Sequence, residues 1–169
     1  IGDIVWGMNF QNLLQSDRFW QATSNSFKLF VFIFIFQNTV SLGLAMMLNR
    51  PGVATHIFRV IIFLPQIMSA VATGIIWIMM LDPIIGAVNP ILRDIGLESW
   101  QRQWQADPDW ALRTVMVVQA WQWNGMAVIL YLAGLQNVPA DLKQAAMVDG
   151  AGPLRVFRDI TFPMLAPAF

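Results

Sequence analysis

Trp121, Gln122, Trp123 and Asn124 place two amides and two indole rings side by side within a long apolar stretch. Amides hydrogen-bond hydroxyl groups, and indole faces pack against C–H faces, so this mixture suits a polyhydroxylated ligand. A second set, Gln66, Ser69, Thr73 and Trp77, recurs at spacings of three, four and four, which puts it on one face of a helix. Gln37, Asn38, Thr39 and Ser41 form a third polar group. Polar side chains in apolar spans are costly and tend to face a bundle interior or a water-filled path. The same amides could instead pair between helices, at about 0.6–2 kcal/mol each, and the tryptophans could form an interfacial belt.

Enzyme chemistry has little to stand on. The single His, His56, lies between apolar stretches, and none of those stretches contains Asp or Glu. That leaves no nucleophile–base pair and no metal-ligand set inside them, so no catalytic residue and no metal site are expected. The phosphate-cradling pattern Gly-x4-Gly-Lys-Ser/Thr is missing, so the chain cannot hold ATP phosphates in that way. There is no cysteine, which removes disulfides and thiolate metal sites. Ten Lys/Arg balance ten Asp/Glu, giving no basic excess for nucleic acid.

The elements that carry these groups follow from where charge is withheld. Charged residues are 12% of the chain against about 25% in a typical soluble domain. None occurs over residues 29–49, 60–81 or 114–140. Each run reaches the about 20 residues that cross a hydrocarbon core as helix. The expectation is an all-α polytopic membrane bundle, with spans at about 27–48, 60–81 and 114–136 in one transmembrane domain covering 1–169. The alternating aromatics Phe30, Phe32, Phe34 and Phe36 could suggest a strand, but an open strand in lipid strands its backbone groups, so helix is expected. Pro65 is expected to kink the second span. Pro51-Gly52 marks a turn in a short loop over 49–59. Trp6, Trp20, Trp100, Trp104 and Trp110 suit interfacial positions. Gly43, Gly74, Gly125 and Gly134 are read as close-packing positions. The start at Ile1, and the stop at Phe169 as a new apolar stretch opens, read as an internal piece of a longer chain.

After the third span the sequence changes character. Pro139 and Asp141 are helix-start residues, and Asp141 as N-cap would put Gln144 at the position of a reciprocal cap. Gly150 falls where a helix would end in a left-handed turn. Pro153 can open a second short helix with Leu154, Phe157 and Ile160 as its apolar stripe, and Pro163 can return the chain to the membrane. The segment over about 137–163 is thus predicted to be two short helices joined by a Gly-rich bend.

Read as one pattern, Gln144-Ala145-Ala146-x3-Gly150-x9-Ile160-x-Phe162-Pro163 resembles the cytoplasmic loop of ABC-importer permeases, Glu-Ala-Ala-x3-Gly-x9-Ile-x-Leu-Pro. Every spacing matches; Gln144 stands for the Glu and Phe162 for the Leu. Asp17-Arg18-Phe19-Trp20, Phe58-Arg59, Phe63-Leu64-Pro65, Ala133-Gly134-Leu135-Gln136, Pro139 and Val148-Asp149-Gly150-Ala151 are similar to the carbohydrate-import branch. That branch usually has six or more spans, of which three middle ones would lie here.

The resemblance implies a multi-pass permease of the cell inner membrane. It would form the path for a sugar or related solute delivered by an extracytoplasmic binding protein, beside a second permease subunit. A separate ATPase subunit would drive it, and that subunit rather than this chain would use ATP. Gln144, Ala145, Ala146, Asp149, Gly150, Ile160 and Pro163 would form the element that docks in the ATPase. Gln66, Ser69, Thr73, Trp121, Gln122, Trp123 and Asn124 would line the path. A permease for a non-sugar solute, and a structural membrane assembly protein without cargo, are the alternatives. Arg50 and Arg59 without a nearby acid favour a cytoplasmic 49–59 loop.

Overall fold

A computed structural model describes residues 7–166; Trp6 and the apolar stretch ending at Phe169 lie outside the described residues. Helices α1 (Met8–Leu14) and α2 (Asp17–Leu48) open the chain. Trp20 Nε1 donates to the Leu14 carbonyl at 2.8 Å and fixes the corner between them. Helix α3 (Val53–Phe63) leads through a 3₁₀ turn (Leu64–Ile67) into α4 (Ala70–Met80). After α5 (Val88–Asp94) comes the long helix α6 (Pro108–Asn137), followed by α7 (Ala140–Val148), α8 (Pro153–Val156), a π turn (Phe157–Thr161) and α9 (Phe162–Met164). No strand occurs among the described residues. The all-α class holds, and α2 and α6 are each long and apolar enough to cross a membrane.

The helices extend beyond the charge-free runs. Helix α2 begins at Asp17 and α3 at Val53, so the predicted 49–59 loop shrinks to a turn over 49–52. Absence of charge marks what lipid tolerates, whereas a helix continues until its backbone bonds run out. Arg59, inside α3, donates from its guanidinium to the Leu48 carbonyl at 2.8 Å. It thereby caps the C-terminus of α2 with a cation, where the helix dipole favours one.

The predicted second span is broken, not merely kinked. Its two pieces, Val53–Ile67 and Ala70–Met80, meet at 100°. Pro65 has no N–H to continue an α-helix and sits in the 3₁₀ turn. Met68 and Ser69 are then both extended, and Ser69 restarts the helix by accepting from the Ala72 N–H at 3.1 Å.

Helices α2 and α6 run parallel and bury the core between them: Ala45, Leu48, Val128, Tyr131, Leu132 and Leu135, with Leu165 folding back onto it. Polar links cross the same interface. Ser41 donates to Asn124 Oδ1, the Tyr131 hydroxyl donates to Asn38 Oδ1, and Gln37 Nε2 donates to the Trp123 carbonyl at 3.1 Å. Because α2 and α6 are parallel, the 49–52 turn and α7 lie at one end of the bundle, and the 81–107 connection lies at the other.

That connection is a built structure. Asp107 caps α6 by accepting from the Asp109 N–H at 2.9 Å, with Pro108 at its first turn. Asn89 accepts from Trp104 Nε1 at 2.8 Å and donates to the Arg102 carbonyl. The Asp82 carboxylate accepts from the Ile85 and Ile84 N–H groups, which hold its pKa below the ordinary aspartate value. The Arg102 and Arg113 guanidinium groups lie over the Trp110 ring, 5.7 and 5.1 Å from its centre.

Candidate functional site

Two regions carry the predicted site residues. The first surrounds the break between α3 and α4. Gly125 of α6 sits against it so closely that a Cβ there would fall 2.7 Å from the Ile62 carbonyl oxygen and 2.9 Å from Phe63 Cα. The missing side chain bares the α6 backbone, and Gln66 Oε1 reaches in to accept from the Met126 N–H at 2.8 Å. From the other side Gln122, only 9% exposed, donates from Nε2 to the Met68 carbonyl at the break. Two amides thus tie an interrupted helix to a continuous one, and that of Gln122 supplies a partner to a backbone carbonyl at the interruption. Gly43 and Gly74, by contrast, have open space beside them.

The four neighbours Trp121 to Asn124 do not share a face. At 3.6 residues per turn, four consecutive residues span a full turn of α6. Trp121 stands edge-on to Trp77 at 5.3 Å. Gln122 faces the break, Asn124 pairs with Ser41 of α2, and Trp123 is about half exposed. Ser69 serves as helix cap, and Thr73 is buried one turn beyond it. Thr73, Trp77 and Gln122 come together along a groove of about 440 Å³ between α4 and α6. Gln105 and Thr114 also line it. Neither was singled out from sequence: Gln105 falls in the connection over 81–107, and Thr114 opens a span without marking a face.

The second region is the α7–α8 element at the opposite end of the bundle. Helix α7 begins at Ala140 with Pro139 in the cap position and no side-chain cap, so Asp141 lies in the first turn and the expected reciprocal cap with Gln144 does not form. Pro139 holds an extended backbone (φ −57°, ψ 130°), which starts the helix two residues earlier than an Asp141 cap would. The Asp141 carboxylate still meets the favourable end of the helix dipole. The far end matches expectation. Gly150 has φ +83°, its N–H donates to the Met147 carbonyl, and the Ala151 N–H donates to the Ala146 carbonyl at 2.9 Å. This paired arrangement is the Schellman motif.

Pro153 opens α8, and the π turn follows directly before α9, where Pro163 sits in the first turn. A π turn shifts the bonding register by one residue and accommodates a proline that cannot donate. Arg158 binds Asp159 at 2.6 Å, and that hydrogen bond holds the Asp159 carboxyl below its usual range. Gln144, Ala145, Asp149 and Gly150 are exposed, Ala146 and Ile160 are partly so. Around them Leu142, Met147, Val148 and Leu154 present apolar side chains outward, Val148 being 86% exposed.

Residues 37–169 match the family model described as "Binding-protein-dependent transport system inner membrane component". The chain belongs to this family. The lactose transport system permease protein of Rhizobium radiobacter is 37% identical to it over 160 residues that make up 94% of this chain and 53% of that protein. The diacetylchitobiose uptake system permease protein of Streptomyces coelicolor is 31% identical, over 93% of this chain and 47% of its own length. The chain therefore spans about half the length of these curated relatives. Among solved structures, a bacterial ABC transporter that imports the acidic polysaccharide alginate superposes with a TM-score of 0.82 at 28% identity, over 94% of this chain and 55% of that one. The same kind of transporter in complex with an alginate pentasaccharide-bound periplasmic protein gives 0.83 at 28% identity, over 95% and 56%.

Proposed function

We propose that this chain is part of a permease subunit of an ABC importer that carries a saccharide across the inner membrane. The observation that carries this reading is the exposed α7–Gly150–α8 element. Small Ala145 and Ala146, a left-handed glycine stop and outward Leu142, Met147, Val148 and Leu154 stand at the end of the bundle where α2 and α6 both finish. An apolar projection with a fixed bend is what a cleft on a moving partner can grip. The partner is an ATPase subunit, since this chain has no phosphate-cradling loop. Gln144 lacks the carboxylate of the family pattern, and a surface ion pair is worth only about 0–1 kcal/mol, so docking survives its loss.

The saccharide class is supported by the relatives named above, which include a lactose and a diacetylchitobiose permease and an alginate importer. A binding protein on the opposite face and a second permease subunit complete the assembly. The path runs along α4 and α6, with Gln66, Ser69, Thr73, Trp121, Gln122, Trp123 and Asn124 on or near it. The test is reconstitution of the full-length permease with its ATPase and binding protein in proteoliposomes. The reading expects saccharide uptake that needs both ATP and the binding protein. Uptake that proceeds without either, or none for any saccharide, would refute it.

A further inference from the structure

We propose that the groove between α2 and α6 holds an anionic glycerophospholipid, its phosphate at Lys28 and Arg113 and one acyl chain along the apolar wall below them. This goes beyond the permease reading and takes from it only which side of the membrane is outside. Lys28 is the last charged residue before the charge-free run of α2, and Arg113 holds the same place in α6. Both line one groove of about 1110 Å³. On two parallel helices they mark one level, the outer edge of the hydrocarbon. Neither makes a hydrogen bond or ion pair to a described residue. Arg113 lies 5.1 Å over the Trp110 ring, which steadies the cation but supplies no counter-charge. The Asp109 carboxylate also lines the groove. Against two cations it leaves a single net positive charge, the complement of one phosphodiester.

Lys and Arg are ordinarily in excess on the cytoplasmic side, so two of them facing one groove at the outer edge call for an anion there. At Lys28 the face of α2 that lines the groove changes character. Asn25 and Gln21 lie one and two turns outward on it, Phe32 and Phe36 one and two turns inward. The two rings stack 5.1 Å apart at 9° and make a flat wall, with Met116 of α6 lining the same groove. The polar side chain at that depth, Thr39, spends its hydroxyl on the Ile35 carbonyl at 2.7 Å. No donor there awaits a polar ligand. A soluble anion would meet the cations and leave the wall bare, whereas a lipid tail alone would leave the cations unmet. A phospholipid answers both.

The experiment uses the full-length permease with its ATPase, stripped of lipid in mild detergent and titrated with phosphatidylglycerol or phosphatidylcholine under native mass spectrometry. The wild-type complex should bind the first phosphatidylglycerol clearly more tightly than phosphatidylcholine. Lys28→Gln and Arg113→Gln should each weaken phosphatidylglycerol about fivefold, and Lys28→Arg should retain it. Arg93→Gln, which removes an exposed cation paired with Asp94 on the same side, should change nothing. Equal affinity of the wild type for the two lipids would overturn the proposal. So would an equal loss in Arg93→Gln, which would reveal only a diffuse surface charge. If Lys28→Gln lowers the thermal midpoint of the stripped complex and leaves phosphatidylglycerol binding unchanged, a carboxylate on another span fills the groove and the lipid site is wrong. Transport plays no part in the readout, so the permease reading stands or falls separately.

Discussion

Gly125 and Ile62 meet backbone to backbone: a single methyl group on Gly125 would lie 2.7 Å from the Ile62 carbonyl oxygen. Neither backbone can give way easily, because α6 is a long continuous helix and Ile62 sits just before the 3₁₀ turn at Pro65. Gly125→Ala is therefore expected to push the break off α6, separating Gln66 from the Met126 N–H. Overpacking of this kind costs about 1–3 kcal/mol. The thermal midpoint of the purified complex should drop, whereas Gly74→Ala, with open space beside it, should leave it unchanged. Equal effects at the two glycines would mean that the contact does not bear on stability.

Asn124 and Trp121, three residues apart, should respond differently to truncation. Asn124 pairs with Ser41 across the α2–α6 interface, so Asn124→Ala should weaken the bundle itself. A double-mutant cycle with Ser41→Ala should give a coupling of about 0.6–1.7 kcal/mol. Trp121→Ala removes a partly exposed ring and should lower uptake with the bundle intact. Additive losses for Ser41 and Asn124 would show that their hydrogen bond contributes nothing.

Gly150→Val should separate ATP hydrolysis from transport. A β-branched residue at φ +83° costs about 1–2 kcal/mol, and relief of that strain unwinds the last turn of α7 and swings Ala145 and Ala146 away. Gln144→Glu should be close to neutral, because Gln144 is exposed and makes no cap. The measurements are co-purified ATPase and uptake. Wild-type uptake in Gly150→Val, or collapse in Gln144→Glu, would contradict the part assigned to the bend.

The parallel course of α2 and α6 fixes which segments share a side. Since the chain has no cysteine, single probes can be placed in a Cys-free full-length version. Arg50→Cys and Lys143→Cys should both resist an impermeant thiol reagent added outside intact cells, and Ile84→Cys should label. Rapid outside labelling at Arg50→Cys would invert the topology.

Much of the architecture is legible in the charge pattern, because lipid penalises charge so heavily that each run without it must be a membrane segment or a core. Gly150 was legible for a different reason: it follows Gln144-Ala145-Ala146 after three intervening residues, where a helix would end in a left-handed turn. The break at Met68–Ser69 was not legible. Pro65 announces a disturbance, but whether a helix bends or breaks depends on partners for the freed backbone groups. Here Gln122 meets the Met68 carbonyl at the break, and Gln66 ties the turn to the Met126 N–H of α6, contacts 54 and 60 residues apart along the chain. The spread of Trp121, Gln122, Trp123 and Asn124 around α6 was hidden likewise. Adjacency in sequence is divergence on a helix, and only the packing of α2 and α4 against α6 decides which side chain meets which neighbour. The Asp141–Gln144 cap failed because Pro139 already had the extended backbone needed to start the helix two residues earlier.

The most direct test of the central claim is a cross-link from the bend. A cysteine introduced at Ala146 in a Cys-free full-length permease, co-expressed with its ATPase, is treated with a short bifunctional thiol reagent against single cysteines along the ATPase cleft. The account predicts a permease–ATPase product whose yield changes when ATP is added, and none from Ile84→Cys at the opposite end of the bundle. Absence of any product from Ala146→Cys with the assembled complex, or equal yield from Ile84→Cys, would contradict it.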